Sequence, residues 1–91
     1  AIAYYEKSLQ ISTEIGDQSG IASRNCNLGN AYRNLGEYQK AIEYYEEGLQ
    51  LSTEIGDRLE IASVNMNLGS VFCNLGEYQK ALEPYEKSLL I

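Results

Sequence analysis

The chain of 91 residues has no histidine and no tryptophan, one proline and two cysteines. Without histidine, proton relays and ordinary zinc ligation lose their commonest side chain. Cys26 and Cys73 form no CxxC pair, so neither a disulfide framework nor a thiolate metal site is indicated, and reduced, partly packed thiols are expected. Bases are scarce too, with 7 Lys and Arg against 13 Asp and Glu and a net charge of -6. Displacing counterions from a phosphate backbone takes clustered positive charge, so no nucleic-acid partner is expected. Apolar runs are a few residues long, far below the roughly 20 that a membrane helix needs, and no charged-then-apolar leader opens the chain. The expectation is a cytosolic chain with no membrane partner. There is no glycine-rich phosphate cradle and neither cysteine has a base beside it, so no enzyme, cofactor or metal site is expected. The length suits one small domain burying about 60 to 65% of its unfolded surface, too little for a large enclosed cavity.

What is present is repetition. Sliding the chain by forty residues aligns 1–51 with 41–91, and about 32 of those 51 pairs are identical. "STEIGD" at Ser12–Asp17 returns at Ser52–Asp57, and "NLGEYQKA" at Asn34–Ala41 returns at Asn74–Ala81. Each unit therefore carries two punctuation marks and two segments. Gly16, Gly36, Gly56 and Gly76 suit the left-handed residue just past a helix end. Asp17 and Asp57 can accept from the free amides opening the next helix, and Asp57 with Glu60 has capping-box spacing.

The pattern predicts an all-α chain of five helices, about 1–15, 18–35, 38–55, 58–75 and 78–91. Connections of two to four residues fold them into antiparallel hairpins. Residues 1–17 read as the second helix of a truncated unit, 18–57 as a complete unit, and 58–91 as a unit slightly truncated, within one array spanning 1–91. Ile21, Asn25, Leu28, Tyr32 and Leu35, with Ala22 and Ala31, form the expected buried stripe of one helix. Tyr38, Ala41, Tyr45 and Leu49 answer it from the next. Asn25 and Asn65 fall on this stripe, where a hydrogen bond between helices is expected. Gly29 and Gly69 lie mid-helix, where glycine costs up to about 1 kcal/mol relative to alanine, so close helix approach beneath the tyrosines is expected to compensate. Tyr5, Tyr32, Tyr38, Tyr45, Tyr78 and Tyr85 stand at packing positions. Pro84 replaces Tyr4 and Tyr44 of the earlier units and should bend its helix.

Leu28, Gly29, Tyr32, Ala41 and Tyr45 in one unit, and Leu68, Gly69, Phe72, Ala81 and Tyr85 in the next, resemble the tetratricopeptide repeat signature. Ala1 and Tyr5 fit the second helix of an earlier unit. Two departures stand out: Asn25 and Asn65 occupy a position where the family often has Trp, and the period is forty residues rather than thirty-four. Long units like these resemble those of kinesin light chains and Pins-type polarity adaptors. The resemblance implies a superhelix of hairpins whose first helices line a concave groove, and a protein-interaction role rather than catalysis.

On a helical wheel, Ser23, Asn27, Asn30 and Asn34 lie opposite the buried stripe, flanked by Cys26 and Arg33. In the next unit the line is Ser63, Asn67, Ser70 and Asn74, flanked by Met66 and Cys73. Asparagine offers two donors and an acceptor on a short stem, enough to grip a peptide backbone. Asn27 and Asn67 resemble rungs of the asparagine ladder in the tetratricopeptide arm of O-linked N-acetylglucosamine transferases. The expected peptide-binding residues are therefore Ser23, Cys26, Asn27, Asn30, Arg33, Ser63, Met66, Asn67, Ser70 and Cys73. The other reading is a solvated polar face, with Asn34 and Asn74 serving as caps. Arg33 makes an acidic peptide one candidate ligand. The chaperone-type carboxylate clamp fits poorly: Asn30 and Asn67 match its asparagines, but Cys26 and Ser63 stand where its lysines belong.

A second class of function is also open. The chain starts on a second-type helix with an apolar edge at Ala1, Tyr5 and Leu9, and ends on Ile91 without a polar capping helix. Uncovered repeat ends are sticky, so a homo-oligomer is expected, and a self-assembling scaffold or spacer is the alternative to a peptide-binding groove.

Overall fold

Glycine sets the helix ends. In the computed structural model, which describes residues 2–14 and 16–89, with side chains for all of these but 12–14, 78, 79, 88 and 89, all four predicted cap glycines have positive φ, from 71° to 78°. The helices they separate are α1 (Ile2–Glu14), α2 (Gln18–Asn34), α3 (Tyr38–Ile55), α4 (Arg58–Asn74) and α5 (Tyr78–Leu89). The described residues form no strand. At the α2 end, the Gly36 amide donates to the Arg33 carbonyl at 3.0 Å and the Glu37 amide to that of Tyr32 at 2.9 Å. The α4 end repeats this with Cys73 and Phe72. These are the bonds that satisfy the orphan carbonyls of a helix terminus. At the starts, the Asp17 carboxylate accepts from the Gly20 amide at 3.0 Å and that of Asp57 from the Glu60 amide at 3.1 Å. Each such cap contributes about 1 kcal/mol. Helix α5 continues through Pro84.

Each helix packs on its neighbours in sequence, giving a thin slab of 38 × 29 × 13 Å. The two hairpins, α2–α3 and α4–α5, are joined through α3 and α4. Helices α2 and α4 also approach each other, whereas among the described residues α1 and α3, and α3 and α5, do not. The second-type helices therefore splay and the first-type helices close up, which puts α2 and α4 on the inside of the curve.

Glycine opens the space inside each hairpin. A Cβ on Gly29 would stand 2.6 Å from ring carbons of Tyr45, and one on Gly69 closer still to the ring of Tyr85. Real carbons do not approach that near, so only glycine admits the ring, as the sequence pattern predicts. Tyr45 is wholly buried, with Leu28, Tyr32, Ala41, Val64, Leu68 and Val71 in the same core. A third close approach has no counterpart in the sequence reading: a Cβ on Gly48 would lie 2.7 Å from Cys26 Sγ.

Two packing expectations change. Leu35, expected in the buried stripe, is the C-cap of α2 and 63% exposed, because the chain leaves the helix there and carries it off the packed face. Asn25 and Asn65 are buried but bond along their own helices rather than between them: each Nδ2 donates to a carbonyl one turn back, Ile21 at 3.1 Å and Ile61 at 3.0 Å. Such back-bonding lets a short amide occupy a core position. Ala1 and Ile91, named in the expected sticky edges, lie outside the described residues, as does the Tyr78 side chain. Tyr5 and Leu9 are half-buried against the core rather than uncovered.

Candidate functional site

Helical spacing carries Asn27, Asn30 and Asn34 along one side of α2, opposite the Leu28–Tyr32 stripe. There they form one wall of an open cleft of about 630 Å³, whose other wall is α1 with Ile2, Ala3 and Tyr5. On the neighbouring side, Arg33 Nη1 donates to Asn67 Oδ1 at 3.3 Å, joining α2 to α4 across the inner curve. The cleft itself is lined by α1 and α2, and the Arg33–Asn67 bond sets α4 beside it.

Tyrosines of the second helices reach polar residues of the first helices. The Tyr45 hydroxyl donates to Asn30 Oδ1, which leaves the Asn30 amide nitrogen free to turn outward. In the next unit the Tyr85 hydroxyl sits 3.4 Å from Ser70 Oγ and 3.8 Å from Cys73 Sγ. Tyr45 and Tyr85, assigned from sequence to packing alone, therefore also hold the polar side chains above them. The signal was the hydroxyl itself, since a purely packing role would be served by phenylalanine. Burial pushes the Tyr45 phenol up to about 12, with the Cys26 side adding to the rise and the Arg33 cation opposing it.

Of the ten expected site residues, Asn27 and Asn30 line the cleft, Arg33 and Asn67 bond to each other, and Ser70 and Cys73 lie beside the Tyr85 hydroxyl. Ser23, Asn27, Asn30, Arg33, Asn67, Ser70 and Cys73 are half-buried and Ser63 is exposed. Cys26 is a correction. It is only 5% exposed and packs into the gap at Gly48, with the Glu60 carboxylate of α4 beside its thiol. Burial, then the hydrogen bond and charge of Glu60, hold that thiol well above the usual thiol range. Its repeat equivalent Met66 is 56% exposed. The position therefore serves packing between units: α4 covers it at Cys26, and no described helix follows to cover Met66. A helical wheel of one unit cannot show contacts with the next. Both cysteines are free thiols.

Comparison with known proteins agrees with this architecture. The tetratricopeptide repeat family matches residues 1–54 and again 20–91, covering the chain from end to end. The chain belongs to the tetratricopeptide repeat family. Such repeats generally mediate protein–protein interaction, and the family is a non-enzymatic interaction module. No curated protein matches the chain. The tetratricopeptide hairpins contain no helix, among the described residues, long and apolar enough to cross a membrane.

Proposed function

We propose that this chain binds an extended segment of a partner protein along its inner curve, from the cleft between α1 and α2 across to α4, with Asn27, Asn30 and Asn67 gripping the ligand backbone. The single observation that carries this reading is the bond between Arg33 and Asn67 across the inner curve, which ties two amide-lined first helices to one surface. An extended peptide presents one amide donor and one carbonyl acceptor per residue, and asparagine answers both. Arg33 adds a cation that favours acidic segments, and a cytoplasmic setting accords with two free thiols. The readout is affinity for the best binder from an arrayed peptide library. Asn27→Ala with Asn67→Ala should weaken it roughly tenfold or more, the worth of two lost hydrogen bonds, with the helical circular dichroism unchanged. Undiminished affinity in the double variant would refute the groove.

A second reading, self-assembly, is favoured by a different observation. Met66 and Leu82 are each 56% exposed, although their equivalents in the preceding unit, Cys26 and Ile42, are packed into the core. The α4–α5 hairpin thus offers the kind of surface on which the α2–α3 hairpin packs its neighbour, and a contact of that kind between copies is heterologous and open-ended. Sedimentation velocity over a wide concentration range should show growth of large species, suppressed by Met66→Glu with Leu82→Glu. A strict monomer at every concentration would remove the scaffold reading.

A further inference from the structure

The outer face of the molecule differs between the two hairpins, and the difference has a definite shape. In the first hairpin, the ring of Tyr44 stacks on Tyr32 with centroids 5.4 Å apart and planes 5° from parallel. The Tyr32 hydroxyl donates to Glu6 Oε1 at 3.3 Å, and Lys40 Nζ lies 5.2 Å from the Tyr32 ring centroid. Forty residues on, the four partners are Pro84, Phe72, Glu46 and Lys80. Two things have been removed: the outer ring, by Tyr44 becoming Pro84, and the inner hydroxyl, by Tyr32 becoming Phe72. In their place is an open cleft of about 290 Å³ with Leu49, Leu68, Phe72 and Pro84 along its apolar floor and Glu46 and Lys80 at its edge.

A tyrosine side chain brings a ring for the vacated outer position and a hydroxyl donor together. We infer that this convex cleft is a binding site for the side chain of a tyrosine supplied by a partner protein. The ring lies on Phe72 against Pro84, as that of Tyr44 lies on Tyr32, and the hydroxyl donates to the Glu46 carboxylate, which faces Phe72 where Glu6 has the Tyr32 phenol to accept from. The volume is ample for one aromatic ring, since a dry cavity of about 150 Å³ holds benzene. Offset or parallel stacking and a lysine over the ring add directional attraction to the apolar burial. Charge points the same way. Glu83, paired with Lys87 at 3.0 Å, also lines the cleft, so its rim of Glu46, Glu83, Lys80 and Lys87 is neutral overall. On a chain of net charge -6, that suits an uncharged phenol and not a phosphate ester. This site lies on the opposite face from the amide-lined hollow and stands whether or not that hollow binds peptide.

The test uses the full 91-residue chain labelled with nitrogen-15 and three blocked tripeptides, glycine flanking tyrosine, phenylalanine or phosphotyrosine, in a chemical-shift titration. The tyrosine peptide should move the amide signals of Glu46, Phe72 and Tyr85, and the phenylalanine and phosphotyrosine peptides should bind about tenfold more weakly. Pro84→Tyr, which refills the cleft with the chain's own ring and improves helix propensity, should abolish the shifts. Glu46→Ala should remove the preference for tyrosine over phenylalanine. Unchanged binding in Pro84→Tyr, equal binding of all three peptides, or shifts confined to Asn27 and Arg33 would each overturn the assignment. So would concentration-dependent shifts at the same amides without peptide that Tyr4→Ala abolishes, because the ring would then come from a second copy.

Discussion

Tyr45→Ala is expected to cost about 3–5 kcal/mol, most of the stability of a domain this small, and to bring the urea midpoint close to zero. Tyr45 is fully buried, lies in the space opened by Gly29, touches the core that joins both hairpins, and donates to Asn30. Removing the ring leaves a hole that rigid helices on both sides cannot fill. Tyr45→Phe keeps the ring and loses only the bond to Asn30, so it should cost about 1 kcal/mol. An alanine variant within about 1 kcal/mol of the unmodified chain would show that the ring is not the keystone of the hairpin.

The same burial fixes an alkaline limit. An unfolded tyrosine ionises near pH 10, while the folded Tyr45 phenol is pushed up to about 12. Between those values the folded state holds its proton and the unfolded state has released it, so folding binds protons and stability falls as pH rises. The contribution is fully present below about pH 10 and gone above about 12. Tyr45→Phe should flatten that part of the stability curve measured by urea denaturation.

Gly29→Ala is the second large effect, and its sign is set by two opposing terms. Alanine in mid-helix favours the folded state by about 0.5–1 kcal/mol. Against that, its methyl would stand 2.6 Å from the Tyr45 ring, which is packed on every side and cannot give way. Overpacking of this kind costs about 1–3 kcal/mol and can exceed that range, so the variant should be destabilised, with α2 and α3 pushed apart. Combining Gly29→Ala with Tyr45→Leu makes room for the methyl, and a double-mutant cycle should then show favourable coupling of about 1–2 kcal/mol. Gly76→Ala is the comparison that separates the two causes. Nothing lies within 4 Å of a Cβ there, but φ is +76°, so only backbone strain opposes it. Stabilisation on Gly29→Ala would mean that the approach of ring to helix is looser than these distances describe.

How far the sequence could be read differs by residue. The period of forty, the four cap glycines and the capping aspartates fixed the number, ends and antiparallel order of the helices, because each of these is a local preference of the backbone. Gly29 and Gly69 were legible for the same reason: a costly residue inside a good helix needs a neighbour that explains it. The line of Asn27, Asn30 and Arg33 was legible as a face, since 3.6-residue spacing alone assigns residues to sides. Spacing alone puts Cys26 on that face and nothing local marks Gly48, because the pair is defined by contact between α2, α3 and the Glu60 end of α4.

The repeat alone thus determined a stack of antiparallel hairpins with Leu28, Tyr32 and Tyr45 on packed faces and Asn27 and Asn67 on the opposite side of their helices. Local energies of turns, caps and helical periodicity are additive along the chain and need no partner to be read. Tertiary structure decided which polar residues meet, namely Arg33 with Asn67, Tyr45 with Asn30 and Tyr32 with Glu6. It also decided that a cleft lies beside Pro84, the residue in the place of Tyr44. Those outcomes depend on the angle and distance between helices, which the packing of whole units sets and no single unit contains.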